Sequence, residues 1–386
     1  MRTAVGSLSV VIFCLAVRLA AAAPSPVAAP AASAAALRPE VASQALTWRM
    51  VGPYRGGRTR AVTGIPGQPA TFLIGAVNGG VWKTTDYGRT WHPIFDAEPT
   101  QSIGAIAVAP SDPKIYYVAS GEGLQRPDLS VGDGIYRSAD AGATWTHLGL
   151  EDAQQIPDLA VDPRDANRLY AAVLGHPFGP NAERGIFRSV DGGKTWTLIL
   201  SIDEDTGGSC IKIDPNDPNT LYAAMWNVRS GPWEDENVFN GTAGGLYKST
   251  DGGDHWHKLS KGLPENLSQI EVAVAPSQPG RLFATIATTE EGDYSSAAGL
   301  GVFRSDDAGE SWYRVTTDPR PALRIGGGDL PIIKVDPHDA DVLYSASLVP
   351  NHCSSHRRIR TGCITPRTGF SRPATAACTG ALSARI

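Results

Sequence analysis

Thr84-Thr-Asp86-Tyr-Gly88-Arg-Thr90-Trp91 is one of five near-copies of a single eight-residue sentence. The others are Ser138-Ala-Asp140-Ala-Gly142-Ala-Thr144-Trp145, Ser189-Val-Asp191-Gly-Gly193-Lys-Thr195-Trp196, Ser249-Thr-Asp251-Gly-Gly253-Asp-His255-Trp256 and Ser305-Asp-Asp307-Ala-Gly309-Glu-Ser311-Trp312. The aspartates step by 54, 51, 60 and 56 residues. A repeat of that length, filled with short strands, predicts an all-β propeller of four-stranded blades.

Working outward, each unit has the same parts. An apolar strand ends in an Asp-Pro type of turn, as in Leu159-Ala-Val-Asp-Pro163, Ile211-Lys-Ile-Asp-Pro215 and Ile333-Lys-Val-Asp-Pro337. Proline ends such a strand because it fixes φ and removes a ladder donor. A second apolar strand follows, such as Leu169-Tyr-Ala-Ala-Val173 or Leu221-Tyr-Ala-Ala-Met225. A loop of varied length leads to a third strand, and the aspartate motif turns the chain into a fourth strand beginning Thr-Trp. In the motif, carboxylate and hydroxyl can accept backbone N–H groups, glycine takes a conformation other residues resist, and tryptophan offers a ring to bury between blades. Asp86, Asp140, Asp191, Asp251 and Asp307 therefore read as turn-holding residues, because five near-identical copies serve a scaffold better than one reaction centre.

Residues 1–23 read as a secretory signal: Arg2, an apolar run from Val10 to Val17, then Ala21-Ala22-Ala23. That predicts a secreted or periplasmic protein. Residues 24–46, rich in Ala and Pro, read as a flexible leader. The propeller is expected over 47–350, with five aspartate repeats and a partial sixth, and Thr47-Trp48 through Pro53 supplying the outer strand of the last blade. Residues 351–386 hold six Arg, no Asp, Glu, Lys or Trp, and three of the five Cys. They read as an aberrant, disordered tail from truncation or a change of frame, leaving the propeller incomplete at its C-terminus. His352, Cys353, His356 and Cys363 imitate a metal cluster without a regular strand or helix to present them, so no metal site is expected there, and no cofactor. The net charge of -5 and the lack of a basic stripe exclude nucleic acid as an expected partner.

The motif resembles the Asp-box, or BNR, repeat of bacterial neuraminidases, of glycoside hydrolase family 74 and of the sortilin (Vps10) propeller. The resemblance covers residues 47–350 and, with its Asp-Pro turns, is greatest to bacterial family 74 and sortilin N-terminal proteins. It implies the propeller fold, and it implies either a glycosyl-hydrolase-like protein that acts on or binds extracellular carbohydrate, a glycoside hydrolase if it is an enzyme, or a non-catalytic sortilin-like propeller for a peptide or protein ligand. The sialidase version fails, since Pro53-Tyr-Arg55-Gly-Gly-Arg58 is not the Phe-Arg-Ile-Pro segment. In family 74 the first blade carries Arg-Thr-Asp-x-Gly-Gly with a catalytic aspartate. The matching run here is Ala76-Val77-Asn78-Gly79-Gly80, so the position is Asn78, and an amide is neither a general base nor a charged nucleophile. The resemblance puts the second catalytic carboxylate in a later propeller.

Function is then expected on the face away from the aspartate turns, where the second-to-third strand loops differ. The richest is Trp226-Asn-Val-Arg229-Ser-Gly-Pro-Trp233-Glu234-Asp235-Glu236. Its aromatic rings suit the apolar faces of a sugar and its carboxylates suit hydroxyls. If there is catalysis, Glu234, Asp235 and Glu236 are the candidates. Trp226, Arg229, Trp233, Glu122, Asp133 and Arg58 are candidate binding residues for a polysaccharide, an oligosaccharide or a peptide. Arg55, Arg58 and Arg60 could point into the same central channel.

Overall fold

Six short antiparallel sheets follow one another along the chain, each built in sequence order. The computed structural model describes residues 58–123, 129–230, 243–288, 298–316, 332–348 and 379–385. The first blade is β1 (Thr59–Ile65), β2 (Gln68–Ala76), β3 (Gly80–Thr84) and β4 (His92–Pro93). The second is β5 (Ile103–Val108), β6 (Tyr116–Ser120), β7 (Ile135–Ser138) and β8 (Thr146–His147). The third is β9 (Asp158–Val161), β10 (Leu169–Val173), β11 (Gly185–Ser189) and β12 (Thr197–Leu200). The fourth is β13 (Thr206–Ile213), β14 (Leu221–Asn227), β15 (Gly245–Ser249) and β16 (His257–Leu259). The fifth is β17 (Ile270–Val274), β18 (Leu282–Thr288), β19 (Ala298–Ser305) and β20 (Tyr313–Arg314). The protein is an all-β propeller.

The sixth sheet departs from expectation. Strands β21 (Ile332–Val335) and β22 (Val342–Leu348) are the anticipated pair, but β23 (Thr379–Arg385) then pairs antiparallel with β22, Val342 opposite Arg385. Part of the tail read as disordered is thus a third strand. Its Thr-Gly-Ala-Leu-Ser-Ala run has no charge before Arg385, so it can enter a sheet despite lacking the repeat. The expected leader, signal and N-terminal closing strand lie outside the described residues.

Burial explains the strand order. The second strands β6 and β10 are buried at every residue, as strands covered on both faces must be. The first strands are only part-buried, as in β1, because one of their faces lines a central cavity. The fourth strands are two to four residues long and start one residue after the tryptophan, not at Thr-Trp. The reason is local. The N–H of Thr144 bonds Asp140 Oδ1 at 2.9 Å, so it is spent on the turn before the ladder begins.

All five turns are wired alike. In the third blade Ser189 Oγ donates to Asp191 Oδ1 at 2.8 Å and accepts from Gly193 N at 2.8 Å. Thr195 donates from N and Oγ1 to the two oxygens of Asp191 at 3.0 and 2.7 Å. Backbone and hydroxyl donors from Thr195 hold the Asp191 carboxyl down at about 2. The stabilisation from such carboxylates is complete above the ordinary carboxylate range and lost as pH falls toward about 2.

The turn also grips the blade before it. A side chain on Gly142 would meet Ile94 Cδ1 at 2.7 Å; on Gly193, Leu148 Cδ1 at 2.4 Å; on Gly253, Ile199 Cδ1 at 2.5 Å. Each of those aliphatic residues belongs to the end of the preceding blade. Trp145 Nε1 donates to Ile94 O at 2.7 Å and Trp196 Nε1 to Leu148 O at 2.9 Å, so two rings bridge blades as expected. The Trp91, Trp256 and Trp312 N–H groups instead bond the glycine carbonyl of their own turn. Reaching the other way, Tyr170 OH donates to Gly252 O and Tyr222 OH to Ala308 O in the next blade's turn.

Two outcomes follow for stability. Gly193→Ala places a methyl on Leu148 at a φ of 91°, and should cost about 1–3 kcal/mol in urea unfolding, while Gly179→Ala, with open space around it, should be near neutral. His255, standing where other copies have Thr or Ser, bonds Asp251 Oδ2 at 2.7 Å, and that contact raises its pKa. Its contribution is therefore full below about pH 6.5 and lost as pH rises through the raised folded value. The urea midpoint of the parent relative to His255→Thr should fall between pH 6 and 9; a difference constant over that range would refute the coupling.

Candidate functional site

Antiparallel order within a blade puts the first-to-second turn and the aspartate turn at one end, and the second-to-third loop at the other. The loop end is therefore shared by residues before β1, by the β6–β7, β10–β11 and β14–β15 loops, and by the segments entering β9 and β13. Two constellations of chemistry-bearing side chains stand out here: a cluster within the loops and the mouth of the central cavity.

Among the loops, the structure joins two of the candidates. Arg58 Nη2 donates to Glu122 Oε2 at 2.7 Å across 64 residues, and Ser130 N donates to Glu122 Oε1 at 3.0 Å. The Glu122 side chain is fully buried, so it is a tie between the first and second blades, not an open acid. Asp133 is held in its own hairpin by Tyr136 OH at 2.7 Å and Ser120 Oγ at 3.2 Å. Trp226 is not a platform for a ligand: its ring is wholly buried with Leu174, Val228 and Ala287, because it sits near the end of a strand covered on both faces. Arg229 pairs with Asp205. Trp233, Glu234, Asp235 and Glu236 lie outside the described residues, as does Arg55. Asn78 is exposed at the apex of the β2–β3 turn with φ 55°.

One residue that sequence reasoning missed organises this face. Arg184 is buried at 1% exposure and donates to four carbonyls: Asp205 O and Val228 O at 3.1 Å, His176 O at 2.5 Å and Gly179 O at 3.2 Å. It ties the β10–β11, β12–β13 and β14–β15 connections together. Burial, aided by nearby Arg229, lowers its pKa to about 10, which leaves it charged at neutral pH. The available signal was the charge placed directly before the apolar strand Gly185–Ser189.

The central cavity measures about 420 Å³ and is lined by all six first strands. Asp158, Cys210 and Glu271 present ligand-type atoms within 4.8 Å of one another. The ammonium of Lys212 already rests on those carboxylates, paired with Asp158 and 3.2 Å from Glu271 Oε1. The cation in this cluster is thus part of the chain. Burial disfavours charge on both partners, yet Lys212 holds Asp158 below the usual carboxylate range and Asp158 holds Lys212 well above the usual amine range. Burial pushes the Cys210 thiol up, so it stays a thiol at neutral pH.

Comparison with known proteins places this geometry. The family model described as sortilin, neurotensin receptor 3 (Sortilin-Vps10) matches residues 79–210. Xyloglucanase Xgh74A of Acetivibrio thermocellus is 28% identical over 266 residues, covering 62% of this chain and 30% of that protein. A probable oligoxyloglucan-reducing end-specific xyloglucanase of Neosartorya fischeri is 28% identical over 257 residues, covering 59% of this chain and 26% of that protein. The chain thus spans less than a third of the length of these curated relatives. The crystal structure of a GH74 xyloglucanase from Xanthomonas campestris superposes with a TM-score of 0.56 at 20% identity, over 79% of this chain and 44% of that one. An ancestral GH74 enzyme gives 0.55 at 20% identity, over 80% and 38%. These likenesses make the chain a sortilin- and family-74-like propeller.

Replacing Arg184 by Met leaves four carbonyls, one buried and three part-buried, short of a donor and should cost roughly 2–4 kcal/mol. Hydrogen exchange should speed selectively in residues 174–184 and 201–205; protection unchanged there would show that the arginine does not hold the loops.

Proposed function

We propose that this sortilin- and family-74-like propeller is exported and binds an extracellular oligosaccharide or polysaccharide on its variable-loop face without cleaving it. Relatives named as xyloglucanases support the carbohydrate reading. The absence of cleavage rests on Asn78. The family resemblance puts a catalytic carboxylate there, and an exposed amide at the turn apex neither takes a proton nor attacks an anomeric carbon. Glycoside hydrolysis needs two carboxyl groups roughly 5–9.5 Å apart. Glu122, the deeply buried acid on this face, has its oxygens engaged by Arg58 and the Ser130 N–H.

In this reading the five repeated aspartates hold turns and perform no reaction. Trp233 with Glu234, Asp235 and Glu236 contacts the sugar, the indole stacking on its apolar face and the carboxylates meeting hydroxyls. The apolar segment and small-residue site within residues 1–23 direct the chain out of the cytoplasm. Among the described residues no helix is long and apolar enough to cross a membrane. A second reading, a propeller that binds a peptide or protein partner, is favoured by one observation, the match of the sortilin model over residues 79–210.

Calorimetric titration with xyloglucan oligosaccharides, beside a reducing-sugar assay on xyloglucan, tests this. Saturable binding without sugar release is expected, weakened about tenfold by Trp233→Ala. Sugar release would overturn the non-catalytic reading. Silence across a glycan array would overturn the carbohydrate reading in favour of a protein ligand.

A further inference from the structure

The charges lining the central cavity do not balance. Three cationic side chains, Arg60, Lys212 and Lys334, face two carboxylates, Asp158 and Glu271. Both carboxylates are taken by Lys212, with Asp158 also accepting from Ile211 N at 2.9 Å. Arg60 and Lys334 are left over. Among the described residues neither side chain makes a hydrogen bond or an ion pair, and Arg60 Nε is sealed from solvent without a partner. Arg60 as a whole is half-buried, but a charged group's donor is seldom sealed from water without an acceptor, since desolvation costs free energy that only a partner returns. Asp158 and Glu271 act on Arg60 at longer range, but burial outweighs them and lowers its pKa.

Position adds to this. Arg60 is the second residue of β1, Asp158 the first of β9 and Glu271 the second of β17, so the unmatched guanidinium stands where the first strands enter from the loop end. Lys334 lies on the sixth blade's first strand, also lining the cavity. Arg60 lines the cavity at an irregularity in the β1–β2 register between Thr59 and Ala61, beside Ala61, which reaches both the cavity and the blade core. The cavity has room for a small polyatomic ion with several waters.

We propose that the mouth of this cavity is a seat for a compact oxyanion, a carboxylate or a phosphoryl group, held by the Arg60 guanidinium with Lys334 supplying the second positive charge. The planar fork of arginine matches two oxygens of such a group, and a low-dielectric wall strengthens the contact. The Lys212 ion pairs keep the two resident carboxylates from filling that role. The seat does not depend on the loop contacts proposed for a sugar, and the two stand or fall independently.

The test uses the full chain, titrated with inorganic phosphate and with malonate at constant ionic strength, read by calorimetry and by melting temperature against added chloride. Saturable binding is expected, with affinity about tenfold or more weaker in Arg60→Gln and several-fold weaker in Lys334→Gln. Arg164→Gln, on an Asp-Pro turn at the other end, should bind like the parent. Preference for malonate marks a carboxylate seat and preference for phosphate a phosphoryl seat; either supports the proposal. If neither anion binds above the chloride control, or if both variants bind like the parent, it is overturned. Should Arg60→Gln fail to fold, Lys334→Gln, altered at an exposed residue, decides the matter with Arg60→Lys.

Discussion

The contact between a motif glycine and the end of the preceding blade is the constraint on which the rest of this propeller depends. Gly142, Gly193 and Gly253 come so near Ile94, Leu148 and Ile199 that a single methyl would collide. The adjacent tryptophan N–H in two blades bonds the carbonyl of that same aliphatic residue. Such a contact exists only if the turn has one shape. The aspartate and the hydroxyl before it impose that shape by accepting the turn's own N–H groups. A local hydrogen-bonded corner thereby sets the spacing of large sheets, and the fourth strands can be as short as two residues.

Repetition of that corner leaves the other end of the blades free to vary. There the chain solves each connection separately, and charged groups do the work that apolar packing does elsewhere. Arg184 gathers four carbonyls from three connections, and Arg58 with Glu122 joins the first blade to the second. Buried charges of this kind are stable only when every one has a partner. That rule makes the sealed, unmatched Nε of Arg60 in the cavity informative, whereas the likewise half-buried Lys212 is accounted for by Asp158 and Glu271.

The architecture was legible because the motif is a local code. Ser189, Asp191, Gly193 and Thr195 fall within seven residues and interact with one another, so spacing alone betrays them. The buried second strands were equally plain as unbroken apolar runs. The site was less legible. Trp226 looked like a sugar platform from its neighbours in the chain, yet it is a core residue, because its surroundings come from Leu174 and Ala287 far away in sequence. Thr379–Arg385 shows no periodicity that marks it as part of a blade, and its place beside β22 is a matter of pairing.

What the sequence by itself determined, then, is the propeller, its six-fold succession of short sheets and the corners that hold them, since those rest on interactions between residues a few positions apart. Only the tertiary structure decided which charges are satisfied. Arg58, Arg60 and Arg184 look alike as letters, but among the described residues Arg58 meets a carboxylate 64 residues away, Arg184 meets four carbonyls and the Arg60 side chain meets neither. Partners brought together from different blades leave no spacing in the chain to read.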